Sequence, residues 1–223
     1  MTERFTERLR RSAAPIWDAQ FRHPFVQGIG QGTLDLEKFK FWLRQDYVFL
    51  IEYARLFALA AARSPDLNTM IRFATLLKET VETEMNLHRQ YAAEFGINLQ
   101  DLERETPSPT TRAYTDYLLR VASTGDFAEL AAALLPCMWA FSEIGQRLAA
   151  QPKPSDERYA KWIAMYSSSE FAELAEWCRD LVDCLAVGLP ERDLLRLEAE
   201  FLTSSRYEWL FWEMAWKMET WPV

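Results

Sequence analysis

ELAAALLPCMWAFSEIGQRLAA, residues 129–150, decides the class of fold. Apolar side chains recur at three- and four-residue intervals, so the stretch reads as a buried helix. Two neighbours disturb that reading. Pro136 inside a helix removes a backbone donor and clashes with the preceding turn, at a cost of about 3 kcal/mol. It either bends a continuous helix, leaving the carbonyl of Ala132 without its usual donor, or opens a new helix after a break. Cys137 then lies beside space opened by the bend, or in a first turn whose N–H groups favour a thiolate. A cysteine on an apolar helix ordinarily serves as a small hydrophobe; the proline before it singles Cys137 out.

The same periodicity runs outward in both directions. Glycines number only seven and two-residue alternation is nearly absent, so the chain is expected to be all-helical. Helices are expected at about 2–20, 35–63, 66–95, 109–124, 126–150, 155–165, 168–187 and 190–220. The breaks are short. HPFVQGIGQGTL (23–34) reads as a glycine-rich connector around Gly28, Gly30 and Gly32, since it lacks the preceding strand and spacing of a phosphate loop. Ser64-Pro65-Asp66, Gly96, TPSPTT (106–111), Gly125, QPKPSDE (151–157) and Gly188-Leu189-Pro190 mark the other stops. None is long enough for a flexible linker, and no repeat appears. A single domain over 1–223, a helical bundle, is the expectation.

Charge and composition narrow the function. A formal net charge of −8 without a basic stripe argues against nucleic acid and anionic membrane surfaces. The first residues alternate charge with apolar side chains and carry no signal-peptide core, and no stretch reads as a membrane span of roughly 20 uninterrupted apolar residues. Cys137, Cys178 and Cys184 are an odd set without a CxxC pair, which points to a reducing cytoplasm; Cys178 and Cys184 read as packing residues. Nine tryptophans and an aromatic content of 14% suit either a core or a pocket for a flat ligand.

Two acids lie in aromatic surroundings. Asp46 sits in FKFWLRQDYVFL, with Trp42, Leu43, Phe49 and Leu50 on its helical face, and Glu208 sits among Tyr207, Trp209, Phe211 and Trp212. A buried acid needs a hydrogen-bond partner, from an arginine or from a ligand. His88 follows Glu84 by four residues, whereas di-iron bundles use the three-residue spacing Glu-x-x-His in duplicate; here the spacing differs and there is one copy. No HExxH occurs. Neither a metal nor another cofactor is expected, and His88 is expected to pair with Glu84 in packing. His23, before Pro24, is placed to cap a turn.

HPFVQGIGQGTL, LRQDYVFL, EMNLHRQY, PSPTTRAYTDYL, AALLPCMWAFSEIG, YAKWIAMYSS and SSRYEWLFWEMAW occur in that order. Together they resemble the TenA family of thiaminase II enzymes, the aminopyrimidine aminohydrolases, from about residue 15 to the C-terminus. The resemblance implies an all-α, haem-oxygenase-like fold, a homotetramer, and neither metal nor haem. It implies a small-molecule substrate, 4-amino-5-aminomethyl-2-methylpyrimidine or thiamin, released as the hydroxymethylpyrimidine. It matches Cys137 to the family's nucleophile, Asp46 to the carboxylate on the aminopyrimidine edge, and Glu208 to the acid that handles protons near the thiol. Tyr114 and Tyr166 match pocket tyrosines. Phe49 and Phe141 stand where the family often has tyrosine, so the ring that packs on a pyrimidine is kept and a hydroxyl is lost. Two rival readings remain: a pyrimidine-binding or regulatory protein in which Cys137 is filler, and a haem or di-metal oxygenase.

Overall fold

A computed structural model describes residues 3–223, apart from the side chains of Thr83, Glu84 and Leu87. The elements in order are α1 (Phe5–Ser12), α2 (Ala14–Phe21), α3 (Pro24–Gln31), α4 (Leu36–Arg63), α5 (Leu67–Glu79), a π-turn (Thr80–Glu84), α6 (Met85–Glu94) and α7 (Leu99–Glu103). There follow α8 (Pro109–Thr124), α9 (Phe127–Ala149), α10 (Glu157–Tyr166), α11 (Ser169–Ala186) and α12 (Glu191–Lys217). No strand occurs among the described residues. They group into two compact units, one of residues 3–35 and 131–213, the other of residues 36–130 and 214–223.

Four segments differ from expectation, one of them α7, which stands where no helix was expected. The first helix is broken at Ala13, and Pro15 occupies the opening turn of α2, where a missing N–H costs nothing. The supposed glycine connector is largely helical. His23 caps α3, its Nδ1 accepting from the Phe25 amide at 3.2 Å, and Pro24 begins it. Gly32 ends α3 at φ +70°, a conformation that favours glycine. Gly28 lies where a Cβ would come within 3.0–3.2 Å of Leu34, so this glycine answers to packing and not to a loop. The expected helix over 66–95 is interrupted by the π-turn. Helix α9, by contrast, is continuous through Pro136, so Cys137 is not in a first turn.

In the first unit, α1 lies on α11. Arg4 binds Glu176, Asp180 and Asp183, and Asp183 also accepts the amide of Thr6 at 2.7 Å. A buried polar set joins α2 to α12. Trp17 Nε1 donates to Ser205 Oγ at 3.1 Å, and Gln20 both donates to the Ser205 carbonyl at 3.4 Å and accepts from Trp212 Nε1 at 3.3 Å. Each fully desolvated polar group there has a partner, as burial requires. The Tyr159 hydroxyl donates to the Leu34 carbonyl at 2.7 Å, tying α10 to the end of the α3 turn.

In the second unit, the long α4 packs against α5, α6, α7 and α8. Gln45, buried on α4, is the joint. Its Oε1 accepts the Ser108 amide and the Thr111 hydroxyl, each at 2.8 Å, and its Nε2 donates to the Thr106 carbonyl at 3.1 Å. Ser108 caps α8, and the C-terminal segment adds Glu219, which accepts the Thr110 amide at 2.9 Å in the first turn of α8. A carboxylate there meets the positive end of the helix.

Helix α9 has the length and apolar composition of a membrane span, which the sequence was not expected to contain. Of its most apolar window, 72% is buried inside the protein, the state of a core helix. Cys178 is buried as expected, but Cys184, six residues further on α11, is exposed; six residues carry a side chain well off the buried face.

Candidate functional site

Cys137, Phe141, Tyr166 and Glu208 belong to the first unit; Asp46, Phe49 and Tyr114 belong to the second. Each group is built on its own helices.

At Cys137 the run of buried positions on α9 is interrupted once. From Leu130 to Ser142 every residue of α9 is buried except Cys137, which is partly exposed. Pro136, immediately before it, is buried within the continuous helix. A proline there cannot donate to the carbonyl one turn back, so the thiol stands at the weakest point of the ladder. Partial exposure beside a core wall is compatible with a nucleophile.

One turn on from Cys137, Phe141 enters a cluster of rings. Its centroid lies 5.0 Å from Tyr166 and 5.0 Å from Trp212, while Trp162 lies 4.6 Å from Tyr166. Tilted contacts at these distances are favourable beyond their area. Tyr166 closes α10 where α9 approaches most tightly. A Cβ on Gly145 would come within 2.5–2.6 Å of the Tyr166 carbonyl group, so the glycine sets that approach. Glu208 stands one turn before Trp212 on α12 and is buried, as its aromatic neighbourhood suggested. Sequence reading named Phe141 and Tyr166 but not Trp162, whose place in the cluster follows from one turn of α10.

In the second unit, Asp46 faces inward from α4 and is 5% exposed. Its partner is not an arginine. His88 Nε2 lies 2.6 Å from Asp46 Oδ2, and His88 is itself only 2% exposed. The Trp42 ring, one turn before Asp46, lies 6.2 Å from the imidazole. The expected pairing of His88 with Glu84 lies outside the described residues. Phe49, one turn beyond Gln45, stacks on Tyr53 at 5.3 Å and meets Tyr114 at 5.1 Å. Asp46, Phe49 and Tyr114 thus stand on the adjoining α4 and α8.

Among the described residues, no group of three or more histidine, cysteine, aspartate and glutamate side chains is arranged to hold a metal ion. What the residues offer is a thiol, two buried acids and stacked rings. The first unit holds the thiol and one acid, groups able to add to a heterocycle and move protons; the second holds an acid able to bind a polar edge.

A model of the TENA/THI-4/PQQC family matches residues 10–218. The chain belongs to that family. It is 48% identical to an aminopyrimidine aminohydrolase of Halalkalibacterium halodurans over 218 residues, 97% of each chain. It is 38% identical to an aminopyrimidine aminohydrolase of Bacillus subtilis, covering 98% of this chain and 92% of that one. Among solved structures, a TenA homologue from P. horikoshii superposes with a TM-score of 0.90 at 31% identity, over 96% of this chain and 99% of the other. A Shewanella denitrificans domain with a heme oxygenase-like fold gives 0.73 at 16% identity, over 96% and 92%, which speaks to fold alone. The protein is therefore all-α with a haem-oxygenase-like fold. The names of these hydrolase relatives lend no support to the regulatory or oxygenase readings.

Proposed function

We propose that the protein is an aminopyrimidine aminohydrolase of thiamin metabolism. It converts 4-amino-5-aminomethyl-2-methylpyrimidine and water to 4-amino-5-hydroxymethyl-2-methylpyrimidine and ammonia. The observation that carries the chemistry is the thiol: Cys137 is the one partly exposed residue in an otherwise buried stretch from Leu130 to Ser142. Support for the substrate class comes from relatives of that name that match nearly the whole chain.

The Cys137 thiolate adds to a ring carbon of the pyrimidine, and the electron pair moves into the ring. Asp46 holds the amino edge of the heterocycle as charge develops. The amine on the exocyclic methylene leaves with a proton, supplied by Glu208, as ammonia. Water adds to the methylene, giving its proton back to Glu208, and expulsion of the Cys137 thiolate restores the aromatic ring. Tyr114, Tyr166, Phe49 and Phe141 contribute ring faces against which a pyrimidine packs. The protein works in the cytoplasm as a homotetramer and uses no cofactor.

Purified protein incubated with the aminomethylpyrimidine, and separately with thiamin, tests this directly. Equal molar release of hydroxymethylpyrimidine and ammonia is expected from the first substrate. Absence of product from both substrates contradicts the reading.

A further inference from the structure

The buried face of α5 is carried by Phe73 and Leu76 and continues to Thr80. Beyond the π-turn it resumes at Met85, His88 and Ala92. The steps are three, four, five, three and four residues, and the five-residue step spans the π-turn Thr80–Glu84. One residue is therefore inserted into the helical period. Without it His88 would turn off that face by roughly 100°. The insertion is what brings His88 to Asp46, at 2.6 Å.

Both groups are nearly completely withdrawn from water. Such a pair stabilises the fold poorly, because desolvation offsets most of its attraction. An apolar pair would pack at least as well, so the arrangement calls for another reason. His88 Nε2 is hydrogen-bonded to Asp46 Oδ2, and that oxygen is committed to the short contact. The second oxygen, Oδ1, is then held in one orientation.

We propose that His88, set in register by the π-turn, is a positioning residue for Asp46. It fixes the carboxylate so that Oδ1 receives the exocyclic amine of the aminopyrimidine. The inference rests on the role given to Asp46 above. It deepens that role by naming what aims the carboxylate, and hence what selects a ligand edge carrying an N–H donor.

The test is a double-mutant cycle with His88→Ala, Asp46→Ala and the pair, joined by His88→Gln and His88→Asn. Turnover of the aminomethylpyrimidine and binding of hydroxymethylpyrimidine are both measured, and near-UV circular dichroism checks packing. His88→Ala is expected to lower kcat/KM on the order of 100-fold, the cost of a misplaced catalytic group. The loss should nearly vanish when Asp46 is already alanine. Glutamine reaches as far as Nε2 and is expected to recover most of the activity; asparagine is too short and should not. If His88→Ala does not fold, the contrast between glutamine and asparagine carries the test. Losses that multiply in the double variant, or equal activity of the glutamine and asparagine variants, overturn the proposal and leave the hydrolase reading standing. A wild-type protein that neither binds nor converts the pyrimidine overturns both.

Discussion

A Cβ on Gly145 would lie 2.5 Å from the carbonyl carbon of Tyr166 and 2.6 Å from its oxygen, so α9 meets the end of α10 at backbone distance. Only hydrogen fits there, and backbone cannot yield as a flexible side chain would. Gly145→Ala is expected to cost about 1–3 kcal/mol by overpacking. For a chain of this size that is a Tm fall of about 2–4 °C for each kcal/mol. Because Tyr166 contacts Phe141 at 5.0 Å, turnover should fall with stability. Differential scanning calorimetry and steady-state rates on one preparation check both.

Pro136 breaks the hydrogen-bond ladder of α9 next to the only partly exposed residue from 130 to 142. Pro136→Ala restores a donor to the Ala132 carbonyl and removes a steric clash. The variant is expected to melt no lower than the parent while its kcat/KM drops about tenfold or more, about 1.4 kcal/mol of transition-state stabilisation. Reduced Tm with unchanged turnover would make the proline a packing device.

Phe49 and Phe141 offer ring faces without hydroxyls, and the proposed reaction leaves the hydroxyl work to Tyr114 and Tyr166. Both are buried, and each touches one of the phenylalanines, at 5.1 Å and 5.0 Å. Tyr114→Phe and Tyr166→Phe keep the rings and delete one oxygen each. Stability should fall by no more than about 0.5–1.5 kcal/mol. A kcat/KM loss much larger than tenfold in either variant, with product binding kept, is the expected kinetic result. Unchanged kcat/KM in both contradicts their assignment.

Much of the architecture was legible. The helices over 36–63, 109–124 and 127–149 match their expected bounds within a residue, because long amphipathic periods and clear caps define them. The segment 24–31 was misread because glycine is a poor helix former in isolation. In the protein Gly28 packs against Leu34 and Gly30 against the Leu148 side chain, and tertiary packing decides. The π-turn left no mark that a 3.6-residue period could show, so the register of α6 shifted. The approach of His88 to Asp46, 42 residues away in sequence, was therefore not foreseen. Asp46 and Glu208 were found by their surroundings, since an acid among aromatic residues stands out in a helical pattern. Their partners required the fold.

Acid stability should fall in two stages. Burial pushes His23 below its ordinary value of 6.5, outweighing the pull of Glu213 at 3.1 Å. The unfolded chain therefore binds a proton that the folded one refuses, and stability present above pH 6.5 declines as pH falls below it. Burial would raise Glu143, but the Arg10 and Arg147 guanidiniums prevail and hold it below 4.5. Its contribution is present above pH 4.5 and is lost as pH falls through the lowered value. Urea midpoints measured from pH 7.5 to 3.5 should show both declines. His23→Asn, which keeps a capping oxygen, should remove the first decline alone. A parent-like slope between pH 6.5 and 5 in that variant contradicts the assignment.

The central claim is that the thiol of Cys137 performs the reaction. Cys137→Ser changes one atom at a partly exposed position, so folding should be kept. The decisive measurement is hydroxymethylpyrimidine formed from the aminomethylpyrimidine by parent and variant at equal concentration. The account predicts formation by the parent and a loss of on the order of 1,000-fold or more in the variant, with product binding retained. A folded variant that turns over at a rate near the parent's would contradict it.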